Sequence, residues 1–206
     1  MEIKTLEVAG FLPSLAAMRN PMDSWAKNDS VVGRVGKADR ELSTKLAKAG
    51  TEHCKHLRMI MVWADITAPR YWWTEFDTYR IGVEKVSCST MHRLMARHIT
   101  EDDFEHDCIM RGDMLSLLFN LNKTMDLYKA QIDETEKKKL WREIIQNLPQ
   151  SYLQKRTVMM SYAALRGMYR QRKGHKLKEW EQFRKWVETL PESWMITDAE
   201  PEVETE

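Results

Sequence analysis

Two adjacent segments in the middle of the chain, residues 113–131 and 134–147, repeat their apolar residues at intervals of three and four. The apolar positions are Met114, Leu117, Leu118, Leu121, Met125 and Tyr128 in the first segment, and Leu140, Trp141, Ile144 and Ile145 in the second. This spacing gives each helix one apolar stripe, and such a stripe has to be buried against another element. The chain is therefore built around amphipathic helices.

Similar spacing predicts further helices, and Gly or Pro residues mark several of their ends. These helices cover residues 37–49, 70–80, 151–168 and 176–189, with a short helix near Pro13. Two stretches are predicted to be strands, MEIKTLEV at the start and the alternating residues 56–67. Residues 23–36 and 82–89 have the composition of loops, and the first loop could close over a ligand.

Length and charge narrow the class of protein. The 206 residues fit one compact domain, and 32 basic against 31 acidic residues leave a net charge of +1, which argues against a general nucleic-acid binder. No apolar run approaches the roughly 20 residues that span a bilayer. The first residues are not typical of a secretory signal, so we expect a cytoplasmic protein without membrane contact. We predict a single domain over residues 1–195 and an acidic, disordered tail over 196–206.

The cysteines and histidines do not indicate a metal centre. Cys54, Cys88 and Cys108 are an odd number without a CxxC pair, which predicts reduced thiols. His53 and His56 are interpreted as surface or core residues, because their spacing does not indicate convergent ligands. No metal site is expected.

Several separated features follow one another in the order of one known family. LAAMRN follows the first strand, Asp39 opens the next helix, and GTEHCKHLRMIMVWADITAPR contains an alternating strand that leads to Arg70. These stretches resemble the flavin-dependent thymidylate synthases (ThyX). In that family a helix with Gln, then Arg-His-Arg, and then a serine-rich loop bind the nucleotide and the flavin. Here Glu75 stands at the glutamine position, and the Arg-His-Arg positions are taken by Thr78, Tyr79 and Arg80.

The C-terminal half resembles the same family. NLPQSYLQKRTVMMSYAALRGMYRQR is similar to its Leu-Pro followed by a helix with Asn-x-Arg and a later arginine, and KEWEQF resembles its Gln-Trp-Glu-Ile. Ser161 and Ala163 stand at the Asn-x-Arg positions, and Arg172 falls on the arginine that the family uses against the pyrimidine nucleotide. A guanidinium suits that task because it stays charged and stabilises negative charge on a pyrimidine or a phosphate.

The resemblance implies a role for each of these residues. The implied nucleotide-binding residues are Glu75, Arg80, Ser87, Ser89 and Arg172, with Arg172 also catalytic, and the implied flavin-binding residues are Thr78, Tyr79, Arg80 and Ser161. The implied fold is α+β, a helix-rich single domain with a small antiparallel sheet. The implied assembly is a homotetramer with its sites at subunit interfaces.

The activity implied by the resemblance is the reductive methylation of a pyrimidine deoxynucleotide, dUMP, with reduced FAD and methylenetetrahydrofolate. The arginines replaced by Thr78 and Ala163 leave an alternative. In that alternative the chain is a catalytically altered or inactive member that acts as a nucleotide-binding or oligomeric structural protein. A third hypothesis is a helical interaction protein whose resemblance to the family is accidental.

Three groups of residues have a structural interpretation beside the functional one. Glu75 could accept a hydrogen bond from the amino group of cytosine, or pair with Arg70 or Arg80 on a helix face. The basic run over residues 166–176 could bind a phosphate or form a solvated helix face. The aromatic residues that could stack on a ligand or pack in the core are Tyr71, Trp72, Trp73, Phe76 and Tyr79.

Overall fold

The structure is a computed structural model that describes residues 1–106 and 111–199. The strands are β1 (Glu2–Ala9), β2 (Met61–Pro69), β3 (Val83–Ser87) and β4 (Leu153–Ser161). The helices are α1 (Phe11–Ala17), α2 (Lys37–Ala49), α3 (Arg70–Phe76), α4 (Thr90–Arg93), α5 (Arg111–Ala130), α6 (Glu134–Asn147), α7 (Tyr162–Gln171), α8 (Lys178–Glu188) and α9 (Trp194–Thr197). The four strands form one antiparallel sheet in the order β1-β2-β4-β3. This confirms the predicted α+β class with a small antiparallel sheet.

The chain divides into two compact units. The first unit contains Met1–Glu2, Thr67–Thr78 and the described residues of Val86–Arg156. In it α5 packs against α6, and the predicted apolar stripes meet there. The buried residues of this core are Leu94, Ile99, Phe104, Leu118, Leu121, Met125, Ile144 and Leu148. The prediction of two amphipathic helices is therefore confirmed.

The second unit contains Ile3–Ile66, Tyr79–Lys85 and the described residues of Thr157–Glu206. In it α7 packs against α8 and α9, and against a short 3-10 helix at Lys55–Arg58. Its largest buried side chains include Leu15, Leu57, Ile60, Tyr162, Trp180 and Phe183. The single domain predicted over residues 1–195 remains a prediction.

The long helix predicted over residues 151–168 is wrong. These residues form β4 and then enter α7. Val158 and Met160 are buried while Thr157 and Met159 are half-buried, which is the alternation of a strand. Ser161 ends the strand and caps the helix, because its Oγ accepts a hydrogen bond from the backbone N of Ala164 at 3.1 Å.

Other predicted boundaries also differ, and the helix predicted over residues 70–80 ends at Phe76. The loop predicted over residues 82–89 contains β3, which lies at the edge of the sheet and exposes most of its side chains, so its polar composition resembles that of a loop. The strand predicted from residue 56 begins at Met61. His56 and Leu57 are adjacent and both buried, which a strand does not allow when only one face is covered.

The predicted tail begins too early at residue 196. Ile196 is fully buried in α9, and Asp198 pairs with Arg166 and Arg170. Residues 200–206, which are the rest of the predicted tail, and Cys108 lie outside the described residues.

Cys54 is a buried free thiol and Cys88 an exposed one. Among the helices of residues 1–106 and 111–199, none combines the length and the apolar composition that a membrane span requires.

The cap of α7 gives a test of this chain path. We expect Ser161→Ala to lower the free energy of unfolding by about 1 kcal/mol, because the backbone N of Ala164 loses its acceptor. Ser193 is a matched control, because it holds the N-cap position of α9 without a side-chain bond to that helix. Urea unfolding should show less than about 0.5 kcal/mol for Ser193→Ala. Equal losses for the two variants would contradict the assigned cap.

Candidate functional site

Arg172 lies directly after α7, at the C-terminal end of that helix. Its backbone N donates to the carbonyl of Met168 at 2.9 Å, and its side chain is half-buried. The last carbonyls of a helix carry partial negative charge, which favours a cation at this position. The C-terminal end of α7 therefore stabilises the positive charge of the Arg172 guanidinium.

The Arg172 guanidinium is held by two aromatic side chains. Its Nε donates to the hydroxyl of Tyr79 at 2.8 Å. Its Cζ lies 4.4 Å from the centre of the Trp180 ring and 5.3 Å from that of Tyr79. A cation over an aromatic face is attracted by about 0.5 to 2 kcal/mol, depending on its exposure to water. Tyr79, Arg172 and Trp180 form what we call the arginine clamp, and all three belong to the second unit.

Buried aromatic side chains support the clamp. Trp180 is fully buried in α8 and packs edge-on against Phe183, with the ring centres 5.6 Å apart. Tyr79 meets Trp180 edge-on at 6.0 Å. The Tyr79 hydroxyl also donates to Oε1 of Gln171 at 3.0 Å. The phenol thus donates to the glutamine and accepts from the arginine.

Two neighbouring arginines of the basic run have a structural role. Arg166 is buried and donates to the carbonyl of Met195 at 2.8 Å. Both Arg166 and Arg170 pair with the carboxylate of Asp198. These contacts tie α7 to the chain around α9, so Arg166 and Arg170 serve packing. Arg172 is the position of this run that has an aromatic clamp.

Two further predicted site residues of the second unit, Arg80 and Ser161, differ in their exposure to solvent. Arg80 is exposed. Ser161 is buried, and its hydroxyl is engaged in the cap of α7. A Cβ on Gly82 would come within 2.5 Å of the Ser161 Oγ, so only glycine fits at that approach, and Gly82 also has a φ of +70°. Ser161 is covered by backbone.

Four predicted site residues lie in the first unit. Glu75 is half-buried in α3, and its backbone carbonyl accepts from the hydroxyl of Thr78 at 2.7 Å. Ser87 is the exposed last residue of β3, and Ser89 is half-buried directly before α4. The roles that the resemblance implies for these four residues remain predictions.

The aromatic residues of α3 are core residues. Trp72, Trp73 and Phe76 are fully buried and pack on one another with ring centres 4.9 to 5.2 Å apart. The packing interpretation is therefore confirmed for these three. Beside them, the Arg156 guanidinium lies 4.3 Å from the Trp73 ring centre and donates to Asp77 at 2.8 Å. Arg156 thus forms a further aromatic–arginine contact, at a residue that is not among the predicted site residues.

The predicted flavin positions do not fit a flavin diphosphate. Such a group binds guanidinium donors as charge-assisted, often bidentate partners. Thr78, Tyr79 and Ser161 carry hydroxyls, and all three are engaged within the chain. Arg80 is the single cation among the four predicted positions. One cation and three engaged hydroxyls therefore do not make a diphosphate site.

Two members of the site, Trp180 and Gln171, are not among the residues predicted from the sequence. Trp180 lies in the helix predicted over residues 176–189, and Gln171 lies within the basic run over residues 166–176. The motif KEWEQF, which resembles a family motif, contains Trp180 and was the available signal. Gln171 had no comparable signal, because an exposed glutamine beside arginines is ordinary. Among the described residues, no group of three or more His, Cys, Asp or Glu side chains is arranged to hold a metal ion.

Comparison with known proteins adds a likeness in fold. No protein-family model matches the sequence, and no curated protein matches it significantly. Two solved structures of thymidylate synthase X (ThyX) from Helicobacter pylori, both with FAD and dUMP, match with a TM-score of 0.74 and 17% identity. The match covers 96% of this chain and 98% or 99% of those chains. The chain thus has the fold of the flavin-dependent thymidylate synthase ThyX over nearly its whole length.

Proposed function

We propose that this protein has a thymidylate synthase-like function in which Arg172 binds a pyrimidine deoxynucleotide of the dUMP class. The observation that carries the proposal is the arginine clamp, which fixes a guanidinium at the position where the resemblance places the nucleotide-binding arginine. The likeness in fold to ThyX structures that contain dUMP supports the same ligand class.

The chemistry of the clamp suits such a ligand. A nucleotide presents oxygens on its phosphate and on its pyrimidine ring, and a guanidinium offers a planar fork of N–H donors to them. Holding the guanidinium in advance lowers the entropy lost on binding. A fixed positive charge also stabilises negative charge that develops on a pyrimidine ring during reaction. Arg172 would thus serve as the binding residue and as the electrostatic catalyst.

Thermal unfolding tests this proposal. We expect dUMP to raise the melting temperature of the protein in a concentration-dependent way, because a ligand of the native state stabilises it by about 2.7 kcal/mol at 100 times its Kd. Arg172→Ala should abolish the shift. Arg170→Ala is the matched control and should keep it, since Arg170 pairs with Asp198. No shift in the unmodified protein would contradict the proposal.

A second candidate is the complete ThyX reaction, reductive methylation of dUMP with FAD and methylenetetrahydrofolate. The near full-length likeness in fold favours it, while the donors at the predicted flavin positions do not. Visible absorbance after mixing with FAD and desalting separates the candidates. Retained flavin bands would make reductive methylation the function and call for an assay of hydrogen release from C5 of dUMP. A flat spectrum would leave a nucleotide-binding protein.

The homotetramer and the cytoplasmic location also belong to this proposal. The homotetramer, with its sites at subunit interfaces, is implied by the family resemblance, and the cytoplasmic location is expected from the first residues of the sequence. Sedimentation of the purified protein tests the tetramer directly. A monomer would contradict the tetramer and would favour a nucleotide site that the clamp residues of one chain form alone.

A further inference from the structure

We propose that Tyr79 is a positioning residue that sets the direction of the Arg172 guanidinium toward the nucleotide. This inference rests on the proposed function, because it concerns the same site. It differs from the role that the resemblance implies for Tyr79, which is contact with a flavin. The proposal follows from three features of the clamp.

The first feature is the atom of Arg172 that Tyr79 holds. The hydroxyl accepts from Nε at 2.8 Å, and Nε lies where the planar guanidinium joins the flexible stem. A bond at Nε therefore limits rotation of the whole fork. The Trp180 ring, whose centre lies 4.4 Å from the Arg172 Cζ, restricts the same group from a second side. Together the two contacts define the direction in which both Nη atoms point.

The second feature is the polarity of the hydrogen bonds. A phenol has one proton, and that proton is directed to Oε1 of Gln171 at 3.0 Å. The lone pairs of the hydroxyl are thereby turned toward the Arg172 Nε. Gln171 and Arg172 are adjacent in the chain, so one tyrosine hydroxyl fixes two neighbouring side chains.

The third feature is the rigidity of Tyr79 itself. Its ring packs edge-on against Trp180, which is fully buried and in turn packs on Phe183. The clamp is thus connected to the core of the second unit through two aromatic contacts. A guanidinium on a free side chain has to lose rotamer freedom when it binds a ligand, whereas this one has lost much of it already.

A calorimetric titration with dUMP tests the inference. Tyr79→Phe keeps the ring and removes the hydroxyl, and we expect it to weaken dUMP binding about tenfold, because a hydrogen bond to a charged group is lost. Tyr169→Phe is the matched control, since Tyr169 also has a bonded hydroxyl and a ring beneath an arginine, Arg184, at 4.3 Å. Its affinity for dUMP should stay within about twofold of the unmodified protein.

A second background separates positioning from a general structural effect. Lysine has a methylene carbon where arginine has Nε. Its side chain therefore cannot donate to the Tyr79 hydroxyl from that position. In an Arg172→Lys background we therefore expect Tyr79→Phe to change the dUMP affinity by less than about twofold. A tenfold loss in both backgrounds, or no loss in the Arg172 protein, would overturn the role of Tyr79. Failure of the unmodified protein to bind dUMP would instead overturn the proposed function.

Discussion

Asp39→Ala is expected to lower the free energy of unfolding by about 3 to 5 kcal/mol, the largest stability loss we predict for a single substitution. Asp39 is fully buried, and Arg19, whose Nε donates to it at 2.7 Å, is 3% exposed. The same carboxylate accepts from the backbone N and the hydroxyl of Ser30, at 3.1 and 2.6 Å. Removing it leaves a buried guanidinium without its counter-charge and three donors, including the backbone N of Asp29, without this acceptor.

Urea unfolding followed by tryptophan fluorescence measures this loss. Glu136→Ala is the control, because Glu136 forms an exposed pair with Lys139 and should cost less than about 1 kcal/mol. The double variant Arg19→Met/Asp39→Leu should recover part of the loss, because replacing both members of a buried pair by apolar groups is often tolerated. A loss for Asp39→Ala as small as that for Glu136→Ala would contradict the buried pair.

His56 makes the second large prediction, a loss of stability in mild acid. Its ring is buried, its Nε2 lies 2.8 Å from the Ser43 hydroxyl, and its Nδ1 has no partner among the described residues. Burial, together with the positive charge of Arg166, lowers the pKa of His56 from 6.5 to about 4. The unfolded chain therefore binds a proton that the folded protein does not. Stability should be full above pH 6.5 and fall by about 3 kcal/mol as the pH approaches 4.

The free energy of unfolding at a series of pH values tests this effect. His56→Gln can bond to Ser43 without titrating, so it should remove the loss between pH 6.5 and 4. His53→Gln changes an exposed histidine and should keep the loss, since His56 remains. Asp103 affects stability at a lower pH than His56 does. Burial raises the pKa of Asp103, but the hydrogen bond from Arg97 and further donors lower this pKa overall. Its contribution is lost only below its ordinary value of 3.8. An unchanged acid profile in His56→Gln would contradict the assignment.

Elements whose side chains decide their structure locally were predictable from the sequence. The stripes of α5 and α6 repeat over several turns, and α2 is followed by Gly50, so period and end signal agree. The structure confirms these helices within two residues. The predicted first strand agrees with β1 in the same way, because β-forming residues fill it.

Elements that depend on distant neighbours were not predictable. β3 is an edge strand whose pairing with β4 comes from a segment about 70 residues later, and no local pattern announces it. The sequence predicts residues 153–161 as part of one helix with the residues that follow, because Met and Val are compatible with both structures. Sheet pairing overrides local preference in both cases.

The candidate site was predictable in one residue and not in its surroundings. Arg172 was singled out by a resemblance in order and spacing, but the clamp brings Tyr79 and Arg172 together from positions 93 residues apart. Trp180 lies in the KEWEQF motif, but that motif does not place its ring against the Arg172 guanidinium. A sequence pattern can name the charged group of a site, whereas the contacts that orient that group require the folded chain.

Calorimetric titration of the unmodified protein and of Arg172→Ala with dUMP tests the central claim most directly. We predict saturable binding to the unmodified protein and a loss of about 100-fold or more in Arg172→Ala, because a charged donor to the ligand is removed. Arg170→Ala should bind as the unmodified protein does. Equal dUMP affinity in Arg172→Ala, or no binding to the unmodified protein, would contradict the assignment of Arg172 as the nucleotide-binding residue.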